Sequence, residues 1–174
     1  MSAIIPLEIN QGGILMDQKK LSNWLKVIII GLGLCGLFVY GVIIPAYGAS
    51  LVSLYPEFSG RYWPWLIFLL ATGVPCYVAL GLGWKTASSI GQDRTFTAGN
   101  ARRLTLISRL AAGDAAFFFI GNAALMLLSM SHPGVFLGAL LVVFAGVAVA
   151  AAAACLSHLV QKAAALQEQS DLTI

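Results

Sequence analysis

A carboxylate and an amide lie inside a long apolar segment of the chain, at Asp114 and Asn122. Phe118 falls between them, and the four-residue spacing places all three side chains on one face of a helix. A charged acid costs roughly 2.5–3.5 kcal/mol at the middle of a membrane and less near its boundary, where the proximity of Arg109 predicts that Asp114 lies. The pair is therefore either an internal polar site that contacts a proton or a ligand, or a structural contact such as an ion pair with Arg109.

Other residues with chemical potential are isolated from one another. His132 and His158 are separated by about 39 Å of helix rise, too far to share a metal ion. Cys35, Cys76 and Cys155 each lie alone in an apolar block, which predicts small core residues and leaves open a soft-metal site. The sequence contains no HExxH, P-loop, GxSxG or dinucleotide-binding motif in a suitable context, nor a CxxC pair. We therefore expect no enzymatic activity and no cofactor.

Basic residues concentrate in the interval 85–109, which contains one acid, Asp93. Three of its cations, Arg102, Arg103 and Arg109, precede an apolar segment and could bind anionic lipid headgroups or an acidic partner. Alternatively, they only set the orientation of the chain in a membrane. Because the basic residues flank apolar blocks rather than forming a stripe, we expect no direct contact with nucleic acid.

Composition places the chain in a lipid bilayer. It has 174 residues, of which 59% are hydrophobic and 10% charged, with a mean hydropathy of +0.88. Ordinary soluble domains carry roughly 25% charged residues. A soluble fold of this size could not bury so much apolar surface, so the sequence predicts an integral membrane protein.

Four apolar blocks in residues 25–174 predict an all-α, four-transmembrane-helix bundle. The expected spans are about 27–47, 62–84, 106–128 and 134–158. Pro45 predicts the end of the first helix. Pro75 predicts a bend in the second, where Thr72 could compensate by bonding in the region of the freed carbonyl. Thr97 and Asn100 predict a capping box before the third helix.

Residues 1–24 form an N-terminal leader that we expect to be disordered. A polar, basic segment directly follows Met16. This pattern is how many membrane proteins begin, so Met16 is a candidate for the true start of translation.

Lysine and arginine are distributed unequally between the two sides of the predicted spans. One side carries the loop between the first and second spans and the loop between the third and fourth, and its only lysine or arginine is Arg61. The other side carries Lys19, Lys20, Lys26, Lys85, Arg94, Arg102, Arg103, Arg109 and Lys162. The positive-inside rule then predicts a multi-pass protein of the bacterial plasma (inner) membrane with both termini in the cytoplasm.

Several short stretches, in their order and spacing, resemble one bacterial family. They are Tyr55-Pro56-Glu57-Phe58, Thr72 with Pro75, the segment 90–96, Pro133-Gly134, and the ending 168–174. This resembles domain of unknown function 2975, the YoaS-like small membrane proteins, from about Leu25 to Ile174. The resemblance implies four transmembrane helices, no known activity and no assigned catalytic residues. It also implies a gene beside that of a small Xre-type helix-turn-helix regulator.

Two functions remain open. In the first, the interval 90–109 and the tail that begins at Asp171 hold the helix-turn-helix regulator at the membrane. In the second, the chain is a component of an oligomeric small-molecule or ion transporter or channel that uses Asp114, Asn122 and the kinked second span. This second function requires a homo-oligomer, for which we expect contacts through small residues of the first and fourth helices.

Overall fold

The computed structural model describes the backbone of residues 11–131 and 133–171, and the side chains of residues 18–56, 59–131 and 133–170. Over these residues the chain is helical and contains no strand. The elements are α1 (Gln11–Phe38), a π-helical turn (Val39–Ile43), α2 (Ile44–Leu54), a 3-10 turn (Pro56–Arg61), α3 (Tyr62–Ile90), α4 (Ala98–Leu127) and α5 (Pro133–Asp171). The all-α fold expected from the sequence is confirmed.

Four helical segments are long and apolar enough to cross a membrane. They are Gln18–Leu54, Ser59–Ile90, Ala98–Leu127 and Pro133–Ser170. Three of them contain a predicted span, and the third ends at Leu127, one residue before the predicted boundary at 128. The first, second and fourth extend past both predicted boundaries because the helices continue beyond their apolar segments.

The first helical segment does not end at Pro45, contrary to the prediction. Helical structure continues to Leu54 through α2, where proline occupies the first turn. A proline lacks an N–H and its ring crowds the carbonyl four residues earlier. The π turn directly before it widens the helix, with the Ile44 N–H donating to the Val39 carbonyl. The chain therefore passes the proline by adding a residue to one turn.

The N-terminal expectation also needs correction, because α1 begins at Gln11. Residues 11–24 are thus helical rather than disordered. One tertiary contact explains this, since the Ser22 hydroxyl donates to the Ala87 carbonyl at 2.7 Å, and Ser22 is only 2% exposed. Residues 1–10 lie outside the described part of the chain, and a start at Met16 stays a prediction.

The four spans form an open layer in which each packs on its neighbours in sequence. In the described chain, α1 contacts α3, α3 contacts α4, and α4 contacts α5. No Cα atom of α1 comes within 8 Å of α4 or α5, and none of α3 comes within that distance of α5. Short connections make consecutive helices antiparallel neighbours, but α1 and α5 do not close the bundle.

Tyrosine side chains pack against glycines where the first span meets α3. The Tyr77 hydroxyl donates to the Gly33 carbonyl at 2.9 Å. A Cβ atom on Gly36 would lie 2.8 Å from that hydroxyl oxygen, and one on Gly73 would lie 3.4 Å from the Tyr40 ring. A side chain at position 36 would therefore crowd the Tyr77 hydroxyl, whereas a Cβ atom at position 73 would only reach van der Waals contact with the Tyr40 ring.

Hydroxyl groups join α4 to α5. Ser157 donates to the Ala101 carbonyl at 2.8 Å and lies 2.7 Å from the Thr105 hydroxyl. One helical turn or more further along, Ser108 donates to the Ala150 carbonyl at 2.7 Å. Such bonds satisfy polar groups between apolar helices and fix the register of the pair.

The small-residue stripe predicted on α5 packs on α4 only in its middle. A Cβ atom on Gly146 would approach Ala115 at 3.1 Å, whereas one on Gly138 would meet nothing within 4 Å. Ala150 is buried and Ala154 is exposed. Parts of this stripe therefore remain open to lipid or to another protein.

Candidate functional site

Polar side chains from three helical segments meet in the middle of the layer. We call Tyr40, Thr72, Cys76 and Asp114 the polar cluster. The Tyr40 and Thr72 hydroxyl oxygens are 3.1 Å apart, and the Cys76 thiol donates to Asp114 Oδ2 at 3.7 Å. The Tyr40 hydroxyl also lies within reach of the Cys76 thiol. The cluster joins the first, second and third spans, although the first and third do not contact one another.

Tyr40 lies in the π turn, the most irregular part of the first span. The turn directly precedes α2, whose first turn holds the proline at position 45. Single π turns inside α-helices occur frequently at functional sites. Tyr40 was not predicted as a site residue, and its only signal in the sequence is a phenol in an otherwise apolar block.

Thr72 and Cys76 flank Pro75 on α3. We predicted that Thr72 would bond the carbonyl freed by the proline, which is that of Ala71. Its hydroxyl instead donates to the Leu69 carbonyl at 2.7 Å. Because that bond uses the only hydroxyl proton of Thr72, the Tyr40 hydroxyl is the donor in their contact. Pro75 has no N–H to offer Ala71, so a backbone acceptor near the cluster lacks its usual partner.

Asp114 presents one satisfied and one unsatisfied carboxyl oxygen. Oδ2 accepts from Cys76. Oδ1 is buried and has no hydrogen-bond partner among the described residues. The predicted ion pair with Arg109 does not form in this part of the chain, since five helical positions turn the two side chains to different faces. An unsatisfied buried oxygen is costly, and in native proteins such atoms call for a specific explanation.

The distance of Asp114 from the basic residues of α3 and α4 bears on its depth in a membrane. The Arg103 side chain donates to the Lys85 carbonyl at 3.3 Å, which places these two residues at one level. Asp114 lies about 16 Å further along α4, at about 1.5 Å per residue. With the level of Lys85 and Arg103 taken as the membrane boundary, Asp114 lies near the middle of an apolar core about 30 Å thick. Arg109, closer in sequence, is exposed and its long side chain can extend back toward the boundary.

Asn122, predicted together with Asp114, belongs to a separate environment. Its amide donates to the Phe118 carbonyl on its own helix at 2.8 Å, and the residue is 6% exposed. Phe118 stacks on Phe68 of α3 with ring centroids 5.9 Å apart. Among the described residues, Asn122 therefore bonds its own helix and forms no hydrogen bond with the polar cluster, so its part in an internal polar site stays a prediction.

The predicted cytoplasmic contacts differ in their surroundings. Arg102 and Arg109 are exposed, whereas Arg103 is partly buried and donates to Asn100 Oδ1 at 2.9 Å. Asp171 is the last residue of α5. Its side chain and residues 172–174 lie outside the described part.

Asn100 organises the connection between α3 and α4. Its backbone N–H donates to the Thr97 hydroxyl at 3.3 Å, as predicted. Its side chain does not return to Thr97 as a capping box would require. The amide donates to the carbonyls of Arg94 at 2.8 Å and Thr95 at 3.1 Å, so this buried residue closes the loop onto the helix.

All three cysteines are exposed, contrary to the prediction of core residues. Two of them face the surroundings of the layer, and Cys76 faces the cluster. No group of three or more His, Cys, Asp or Glu side chains that could hold a metal ion occurs among the described residues. The cluster instead offers a carboxylate, a thiol and two hydroxyls, which are groups able to exchange a proton or to surround a small cation.

The comparisons with known proteins agree with this architecture. The family model described as "Protein of unknown function (DUF2975)" matches residues 46–174. A curated relative, "Uncharacterized membrane protein YoaS" of Bacillus subtilis (strain 168), is 25% identical over 152 residues, covering 86% of this chain and 94% of the relative. No solved structure matches the chain. The chain is therefore a multi-pass membrane protein that belongs to the DUF2975 family.

Proposed function

We propose that the chain is a component of an oligomeric ion transporter in which the polar cluster binds a proton or a small cation. One observation supports this most directly. Asp114 lies near mid-membrane depth with a buried Oδ1 atom that has no hydrogen-bond partner among the described residues. Acids at this depth usually face an internal site and take part in ion or proton pathways.

A bound cation or proton removes the energetic problem that Asp114 creates. A bare carboxylate costs roughly 2.5–3.5 kcal/mol at the centre of a span. Protonation cancels the charge, and a cation surrounded by Asp114, Thr72 and Tyr40 oxygens compensates it. Alternation between these two states is the elementary step of a proton-coupled carrier.

The backbone near the cluster favours conformational change. The π turn beside Tyr40 and the proline beside Cys76 both interrupt regular α-helical hydrogen bonding. Such interruptions are common where transporter helices bend around a bound ion. Both interruptions lie within one turn or so of cluster side chains.

Self-association completes the proposed pathway. Four spans in an open layer do not enclose a path, and no residue in the most apolar part of the first span is buried. Several small residues face open space, with nothing within 4 Å of a Cβ atom built on Gly31, Gly41 or Gly138. These positions support a homo-oligomer through α1 and α5. We propose that it lies in the plasma membrane with both termini and the basic connection in the cytoplasm.

Ion flux in vesicles tests this function. Full-length protein is reconstituted around a pH-sensitive dye, and proton movement is measured after a sodium, potassium or pH gradient is imposed. We expect Asp114→Asn to lower the rate at least tenfold and Cys76→Ser to retain most of it. Asp93→Asn is the matched control, since Asp93 has φ 58° and asparagine tolerates this conformation. Equal rates in Asp114→Asn and the parent protein would refute the transport role.

A second function has its own structural support. On the side of the basic connection, residues 93–98 and the end of α5 line a cavity of about 390 Å³. Phe96 is 52% exposed beside it. We propose that the Xre-type regulator docks here and on the tail that begins at Asp171, because an exposed aromatic residue at a groove is typical of a contact site.

Affinity purification from native membranes tests the second function. We expect the regulator to co-purify in equal amount with the parent protein and to be lost on deletion of residues 171–174 or with Phe96→Ala. The control variant is Leu166→Ala, an exposed residue of α5 that does not line the cavity. Unchanged recovery in both variants would contradict docking on this surface.

A further inference from the structure

An apolar groove runs along the face of α3 beside α1. Its lining residues are Tyr40, Leu70, Gly73, Val74, Tyr77 and Val78, and its volume is about 480 Å³. Val74 is 66% exposed and Val78 is 49% exposed. In a bilayer this groove faces hydrocarbon, so its natural contents are acyl chains.

Three cations surround the basic end of α3, above this groove. The Lys26 ammonium of α1 lies 5.5 Å from the centre of the Trp84 ring. Lys85 follows directly, and its carbonyl accepts the Arg103 side chain of α4 at 3.3 Å. Among the described side chains, no carboxylate forms an ion pair with any of these three cations. Their charge is therefore available to an external anion.

The groove and Lys85 lie on one face of α3. Val74, Val78, Gly81 and Lys85 have the spacing i, i+4, i+7 and i+11, which keeps residues on a common side of an α-helix. A Cβ atom on Gly81 would meet nothing within 4 Å. Open space thus continues from the groove past Gly81 to Lys85, over about 10 Å of helix rise.

We propose that this face binds an anionic phospholipid. One acyl chain lies in the groove between Tyr40, Val74 and Val78, and the phosphate lies between Lys26 and Lys85. Trp84 lies at the level where indole rings prefer to be, at the boundary of water and hydrocarbon. A zwitterionic lipid fits the groove equally well but gains nothing from the excess of cations. The groove shares Tyr40 with the polar cluster, but lipid binding here does not require any transport function.

The preference of this site for anionic over zwitterionic lipid depends on the number of its cations. A lysine or arginine near an anionic membrane surface contributes about fivefold to binding. Replacement of Lys85 is therefore expected to lower the preference for anionic over zwitterionic lipid about fivefold. Replacement of both Lys85 and Lys26 is expected to lower this preference about 25-fold. Arg103 is left unchanged in the test because it also supports Asn100.

Trp84 provides a local probe of this site. Trp24, Trp63 and Trp65 are replaced by phenylalanine in the full-length protein, which is then reconstituted in phosphatidylcholine vesicles. Brominated phosphatidylglycerol or brominated phosphatidylcholine is added at equal mole fractions, and quenching of Trp84 fluorescence is measured. We expect stronger quenching by the glycerol lipid, with the preference lost in Lys26→Gln/Lys85→Gln.

Two control variants separate charge, groove and general effects. Arg102→Gln removes an exposed cation next to Arg103 but away from the groove, and should keep the preference. Gly81→Leu fills the open path and should reduce quenching by both lipids, while Gly138→Leu, also in open space, should not. Equal quenching of the parent by the two lipids, or an unchanged preference in Lys26→Gln/Lys85→Gln, would overturn the proposal.

Discussion

Gly121 of α4 determines whether the second and third spans can pack. A Cβ atom at this position would overlap the ring of Phe68. The ring has little freedom to retreat, since it lies 5.3 Å from the Phe117 ring and 5.9 Å from the Phe118 ring, measured between centroids. Gly121→Ala therefore forces either the aromatic group or the two helices to move apart.

The cost can be worked from these contacts. Overpacking costs about 1–3 kcal/mol, and disturbance of an aromatic pair adds about 0.5–1.5 kcal/mol. Alanine stabilises a helix by about 1 kcal/mol relative to glycine, which offsets part of this cost. We expect a net loss of about 0.5–3.5 kcal/mol in the free energy of unfolding for Gly121→Ala.

Unfolding in mixed micelles, followed by tryptophan fluorescence, measures this loss. Gly113→Ala is the matched control, because Gly113 is on the same helix and a Cβ atom there meets nothing within 4 Å. Adding Phe68→Leu should recover at least half of the loss in Gly121→Ala. Equal stability of the two alanine variants, or no recovery in the double variant, would refute the packing argument.

Three further substitutions test contacts that fix the layer. Asn100→Ala removes two hydrogen bonds to the loop and should lower the free energy of unfolding by about 1–3 kcal/mol. Trypsin should then cleave the connection between α3 and α4 faster, and unchanged cleavage would contradict the role of Asn100. Ser157→Ala removes bonds between α4 and α5 and should cost about 1–2 kcal/mol in micelle unfolding, which a neutral result would exclude. Ser22→Ala frees the start of α1, so trypsin should cut faster at Lys19 and Lys20; an unchanged rate would show that this bond does not hold the segment.

Periodicity and apolar length were enough to predict the helices and their order. The Thr97 cap and the number of spans follow from local sequence signals, because hydrogen bonds within one turn and apolar length are properties of short segments. The start of α1 does not follow from local signals, because the Ser22 hydroxyl donates to the carbonyl of Ala87, 65 positions away. Such a contact has no signature in the local pattern.

The polar cluster could be predicted only in part. Asp114 is conspicuous as a charge among apolar residues, and Pro75 marks an irregular helix. The alignment of Tyr40 with Thr72 depends on the π turn, which shifts every following residue by one position. The depth of Asp114 depends on which arginine lies level with Lys85. Both depend on contacts between helices. These contacts bring Cys76 to the acid, whereas Asn122 bonds its own helix.

The proposed transport role requires that Asp114 exchange a proton or a cation within the membrane. Infrared spectroscopy of the reconstituted protein tests this without reference to transport, because a protonated carboxyl group absorbs separately from a carboxylate. We predict a carboxyl band that weakens as the pH or the concentration of a bound cation is raised, and that is absent in Asp114→Asn but present in Asp93→Asn. A spectrum identical in the parent protein and Asp114→Asn at every pH and salt concentration would show that Asp114 exchanges neither a proton nor a cation.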